Sequence, residues 1–180
     1  VPDPRYDVSY IHTKYTNMST GKAVNIWPNN NVTSSSYYEP YFKKYTDPTY
    51  DVSVTYADLY LMRFAEMYLI AAEAAASLSS GPGDANWQKA MDHMEVIHAR
   101  ARKSVAEGKP EAAYPKMSAW NCQTKEDLIN AIMWERVFEM HGEMHEIFDT
   151  HRRGAKFMSD WLCKPVNEYL KMPEQVYDNN

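Results

Sequence analysis

Between Leu61 and Ala76 the apolar residues recur at helical spacing, through Leu61, Ala65, Tyr68, Leu69, Ala72, Ala75 and Ala76, and the second half of that stripe is mostly alanine. A stripe of small side chains is buried well only when a second helix comes close. The chain supplies one at once. After Ser79-Ser80-Gly81-Pro82-Gly83, a new stripe of Trp87, Ala90, Met91, Met94, Ile97 and Ala101 begins. So short a connection makes the two helices antiparallel neighbours. The pattern predicts a helical hairpin, with one helix from an N-cap at Asp58 to about Leu78 and another from near Asp84 to about Lys103.

A third helix is announced by Thr124 with Asp127 three residues on, a loose capping box. It continues through Leu128, Ile132, Val137 and Phe138 to about Arg153, where Gly154 closes it, and Gly142 is a candidate break. Gly108 and Pro110 open the loop that precedes it, which carries Tyr114, Pro115 and Trp120.

The flanks read differently. Residues 1–57 carry Pro2, Pro4, Pro28, Pro40 and Pro48, the tract Asn29-Asn30-Asn31 and Ser34-Ser35-Ser36, which interrupt helices. Tyr6–Tyr10 and Asp51–Tyr56 alternate enough for brief strands. The tail, 155–180, is expected to make a short turn around Trp161 and then run extended through Pro165 and Pro173. The expected fold is mainly α: a helical hairpin plus a long third helix, with extensive irregular loops, in one domain over 1–180 whose helical core spans 58–154.

Composition narrows the function classes. Of 180 residues, 44% are apolar and 24% charged, a globular balance. A net charge of -5 argues against nucleic acid, which needs a basic footprint. No apolar run is long enough for a transmembrane helix. The chain begins at Val1 without a visible signal peptide, and is read as part of a longer protein whose N-terminal portion is absent. Two cysteines, Cys122 and Cys163, allow one bridge or two free thiols.

Chemistry-bearing patterns are few. His141-Gly-Glu143-Met-His145 places two histidines four apart, but the spacing is H-x-E-x-H and not the H-E-x-x-H of zinc proteases. On a continuous helix Asp149 lies about 12 Å from His141, too far to share one ion. The reading is a structural helix face, with no metal and no cofactor. Glu66, Glu73, Glu135, Glu139, Glu143 and Glu146 share their helices with Arg63, Arg100, Arg102, Arg136 and Arg152. A buried Arg–Glu network that fixes helix register is favoured over a glycosidase-like acid pair. There is no G-x-S-x-G and no phosphate-cradling glycine loop, so no catalytic residue is assigned.

Fourteen Tyr and five Trp stand against five Phe, a bias toward rings with a polar handle. Trp27, Tyr37, Tyr38 and Trp120, with Tyr41 and Tyr114, fall in segments expected to be irregular. The first four are the candidate ligand contacts, because an aromatic face stacks on the apolar face of a sugar while nearby polar groups bond its hydroxyls. The plainer alternative is that these rings anchor loops to the helical core.

Several landmarks resemble the SusD/RagB family. Leu61–Ala74, L-M-R-F-A-E-M-Y-L-I-A-A-E-A, resembles that family's R-x-A-E-x-x-L-x-x-A-E-A helix. Ile97–Ala101 is similar to its I-R-A-R-A segment, with His98 in place of the first arginine. In Glu135–Gly154, residues Glu135, Arg136, Glu139, Glu143, Asp149, Arg152 and Gly154 match a further family pattern, whereas Val137, Met144 and Glu146 depart from it. Asp3-Pro4-Arg5, Lys44-Tyr45 and Lys171-Met172-Pro173 echo three more.

The resemblance implies a mostly helical, non-catalytic nutrient binder of the outer membrane and cell surface. It implies a lipoprotein whose lipidated cysteine lies outside this chain, since neither Cys122 nor Cys163 suits that role. Its partners would be an oligosaccharide, or a peptide, and a TonB-dependent transporter barrel of the SusC type. No motif position carries a ligand contact over. The alternatives that remain are a peptide-binding member of the family, a helical glycoside hydrolase and a protein-interaction scaffold.

Overall fold

The computed structural model describes residues 3–11, 14–16, 21–25, 41–45, 47, 58, 60–105 and 110–164. Trp27, Tyr37, Tyr38, the expected strand Asp51–Tyr56 and the extended tail after Lys164 lie outside those residues.

The hairpin forms as its two stripes require. Helix α2, Phe64–Leu78, buries Ala65, Leu69, Ala72 and Ala76 against α3, Ala85–Arg102, which answers with Trp87, Ala90, Met94, Ile97 and Ala101. Alanines on both sides let the backbones approach closely. Asp84 caps α3 by accepting from the Asn86 N–H at 2.6 Å, and Arg100 and Arg102 in its last turn oppose the helix dipole.

The start of α2 corrects the expected boundary. The helix begins at Phe64 and not after Asp58, because Arg63 is extended (φ -135°, ψ 162°) and sends its guanidinium to Glu139 and Glu143. Leu61, expected in the buried stripe, is 85% exposed.

Helix α4, Lys125–Met140, packs on α2 and completes the core with Leu128, Ile129, Ile132, Met133 and Met140. Its capping box closes in both directions: Thr124 Oγ1 accepts from the Asp127 N–H at 3.1 Å, and Asp127 Oδ2 accepts from the Thr124 N–H at 2.8 Å. The third helical stretch then breaks at the Gly142 region. Gly142 and Met144 take left-handed conformations (φ 80° and 64°), and α5, His145–Arg153, follows. Gly154 ends α5, and α6, Ala155–Met158, leads into a wider helical turn, Ser159–Cys163, that includes Trp161.

At the N-terminal end, Tyr6–Ser9 is a helical turn, α1, where alternation predicted a strand. Asp3 explains the difference: its carboxylate accepts from the Arg5 N–H at 2.9 Å, its carbonyl from the Tyr6 N–H at 3.1 Å, and Pro4 presets the turn. Strand β1, Tyr10–Ile11, then pairs antiparallel with a later strand, Tyr41–Phe42. Between them in sequence, β2, Lys14–Thr16, pairs with β3, Ala23–Asn25, which makes Tyr41–Phe42 β4. Among the described residues no helix is long and apolar enough to cross a membrane, and Cys122 and Cys163 are free thiols.

Candidate functional site

Glu135 and Glu139 stand one turn apart on the inward face of α4, where apolar side chains are usual. Both are ionic. Arg5 Nη1 reaches Glu135 Oε1 at 2.5 Å and Glu139 Oε2 at 3.0 Å, while Asp3 Oδ2 accepts from Arg5 Nη2 at 2.6 Å. His98 Nε2 lies 3.0 Å from Glu135 Oε2. Glu139 also accepts from Arg63 Nη1 at 2.5 Å and pairs with Arg100. One turn further on, Glu143 accepts from Arg63 Nε at 2.7 Å and from Lys44 Nζ at 2.8 Å.

Glu139 and Glu143 are held as anions. Burial pushes the Glu139 carboxyl up, but hydrogen bonds and charge from Arg100 and Arg63 outweigh it and bring the group down to about 2. Glu143 moves the same way, with burial opposed by Arg63 and Lys44. A general acid needs the opposite displacement, toward neutral pH. The arrangement matches the architectural role expected for the Arg–Glu column.

A second ionic cluster joins α2, α4 and α5. Arg136 Nε donates to Asp149 Oδ2 at 2.6 Å, Arg152 Nε to Asp149 Oδ1 at 2.9 Å, and the Arg152 fork grips both oxygens of Glu73 at 2.5 and 2.6 Å. The two histidines of the H-x-E-x-H pattern do not share a helix face, because the break separates them. His141 sits just beyond α4 with Nδ1 3.2 Å from Glu146 Oε1, and His145 opens α5 with Nδ1 3.3 Å from Glu66 Oε1. Among the described residues no three His, Cys, Asp or Glu side chains are grouped to hold a metal.

The aromatic residues divide into two sets. Trp120 is half-buried against the core, with its ring centroid 5.1 Å from that of His98. Tyr114 is buried, edge-on to His98 at 5.3 Å, and its hydroxyl accepts from Arg5 Nη2 at 3.3 Å. Both rings pin the loop before α4 to the core.

The second set faces outward. Trp134 and Phe138, one turn apart on α4, stack with centroids 5.7 Å apart and planes 20° from parallel. Phe138, through which the third helix was expected to run, is 43% exposed. Opposite them Tyr10 stands 5.2 Å from Tyr6 and 5.4 Å from Phe42, and Phe42 lies 5.0 Å from the His141 ring. Between α1, β1 and α4 lies a cleft of about 360 Å³, walled by Tyr6, Tyr10, Phe138 and His141, with Asp3 and Ser9 among its polar groups.

Flat apolar rings beside hydrogen-bonding groups suit a ligand with an apolar ring face and peripheral hydroxyls. Sequence reading missed this set because it looked for rings in loops. The spacing of Trp134 and Phe138, four apart on the face opposite Ile132 and Glu139, was the available signal.

A family model described as the SusD family matches residues 2–178. No curated protein and no solved structure matches the chain.

Proposed function

Since the chain belongs to the SusD family, we propose that it captures a glycan at the cell surface and passes it to a TonB-dependent outer-membrane transporter of the SusC type. Family membership supports a nutrient-binding role in general. The observation that favours a glycan is the aromatic cleft between α1, β1 and α4, walled by Tyr6, Tyr10 and Phe138, with Trp134 stacked on Phe138. Capture proceeds by stacking and hydrogen bonds, with no covalent step, in keeping with acids that are locked to cations. On this reading residues 1–180 are the C-terminal domain of a lipoprotein, held at the outer membrane by a lipid anchor outside the chain. Trp27, Tyr37 and Tyr38 remain the proposed loop contacts, to which Trp134 and Phe138 are added, while Trp120 packs on the core.

The test is calorimetry and tryptophan fluorescence across a panel of soluble oligosaccharides. Binding is expected, and Phe138→Ala weakens it about tenfold without lowering the melting temperature, because one stacked ring contributes on the order of 1 kcal/mol or more. Binding of peptides in place of glycans, or glycoside turnover that disappears in Glu139→Gln, sinks the proposal.

A further inference from the structure

A second cleft, of about 380 Å³, adjoins the aromatic one and shares Arg5, Ser9 and Phe138 with it. Its charged lining is not balanced at the surface. The two acids in its wall, Glu139 and Glu143, have side chains only 4% and 3% exposed, so they lie at the bottom. The cations that bind them stand above. Lys44 and Arg63 are partly exposed, and the Arg100 side chain is 53% exposed while its Nη2 pairs with Glu139. A guanidinium has five N–H donors in a planar fork, so Arg100 keeps donors in contact with solvent after serving Glu139. Ser104 and the exposed Tyr60 also line this cleft and supply hydroxyls.

Among the described residues, the charges exposed at the mouth are therefore cationic even though the whole chain carries a net charge of -5. Local arrangement decides what a cleft attracts, and within a Debye length the nearest charges dominate. Phe138 forms a wall of both clefts, so one ligand can place a sugar ring on the aromatic side and an anionic substituent on the cationic side.

We infer that the glycan taken by this protein is a carboxylated one, a uronic-acid oligosaccharide, with its ring on the aromatic cleft and its carboxylate on Arg100 above Glu139. This rests on the glycan-capture reading and adds the chemical class of the ligand. A carboxylate matches the fork of a guanidinium and gains a charge-assisted bond that a neutral sugar lacks.

The experiment compares oligogalacturonate, mannuronate oligomers and glucuronate-bearing oligosaccharides with their methyl esters, which keep the rings and remove the charge. Titrations use the full chain at low salt. At least one acid is expected to bind about tenfold more tightly than its ester, as one charge-assisted bond implies, and added salt narrows the difference. Arg100→Gln abolishes the preference for the acid over its ester. Ser104→Asp, which places a negative charge one helical turn from Arg100 and leaves the Arg100–Glu139 pair in place, also abolishes the preference and carries the test if Arg100→Gln does not fold. Equal or tighter binding of the esters, or of neutral glycans alone, overturns the inference and leaves glycan capture standing. Failure of acids, esters and neutral glycans alike overturns both.

Discussion

Nη1 of Arg5 lies 2.5 Å from Oε1 of Glu135, a bond between residues 130 positions apart in the chain. It ties the N-terminal segment to the centre of α4 through a guanidinium whose side chain is nearly excluded from water. Burial alone disfavours the charged form of Arg5, but the hydrogen bonds it donates to Asp3 and Glu135, with their charge, overcome it and raise its affinity for the proton. Arg5→Ala leaves buried Glu135 with His98 alone and takes one of three cations from Glu139, and is expected to destabilise the protein by about 3–5 kcal/mol, read by urea unfolding. Replacing Arg5 by Met together with Glu135 by Leu and Glu139 by Met removes both acids and recovers a large part of that loss. A triple variant as unstable as Arg5→Ala would show that charge burial is not the cause.

Acid should loosen the same region over a defined range. Glu139 stands at about 2 in the folded protein against 4.5 for an unperturbed carboxyl. The folded state therefore binds the proton less well than the unfolded one, so the stabilisation is complete above about 4.5 and declines as the pH falls toward 2. Glu143 contributes in the same sense. Melting temperatures recorded across that interval should fall steeply, and Glu139→Gln should flatten the slope. An unchanged slope in that variant would count against the assignment.

Gly142 is held by two separate constraints. Its φ is 80°, and a Cβ placed there would sit 2.9 Å from Cε1 and 3.0 Å from Cδ1 of Phe42. Gly142→Ala is expected to cost about 1–2 kcal/mol, in part from the left-handed backbone and in part from the ring. Phe42→Leu in the same chain should relieve only the second part. The pair of single variants and the double variant, unfolded side by side, separate the two contributions.

The α2–α3 contact tolerates little added volume. Ala72 and Ala90 are fully buried where the helices meet. Ala72→Leu forces the helices apart and is expected to cost about 1–3 kcal/mol, whereas Ala71→Leu, on a partly exposed face of α2, changes stability by less than about 0.5 kcal/mol. Equal melting temperatures for the two variants would show that the contact is not close-packed.

The helical hairpin, the capping box at Thr124 and the ionic pairing of α4 were legible because local rules set them: periodic apolar positions, a short Gly-Pro connection, and charges of both signs on the same helices. The start of α2 was not, because Arg63 is drawn out of helical geometry by Glu139, 76 positions away. Tyr6–Tyr10 misled for a similar reason, since the Asp3 carboxylate organises a turn that alternation does not register. The aromatic cleft was hidden by an inversion of the usual rule. Hydrophobicity ordinarily marks the inner face of a helix, but α4 turns Glu135 and Glu139 inward to meet Arg5, Arg63 and Arg100, and Trp134 and Phe138 are left facing out. Only the positions of those cations, contributed by α3 and by segments before α2, reveal which side is which.

The joint from His141 to Met144 sets how α5 is rotated about its own axis. Each residue of an α-helix advances the side chains by about 100°. Removing one residue from the joint would swing Asp149 away from Arg136 and detach the Arg152 fork from Glu73, undoing the links of α5 to α4 and to α2 at a stroke. The length of that short segment, more than the identity of its exposed side chains, keeps α5 in phase with its neighbours.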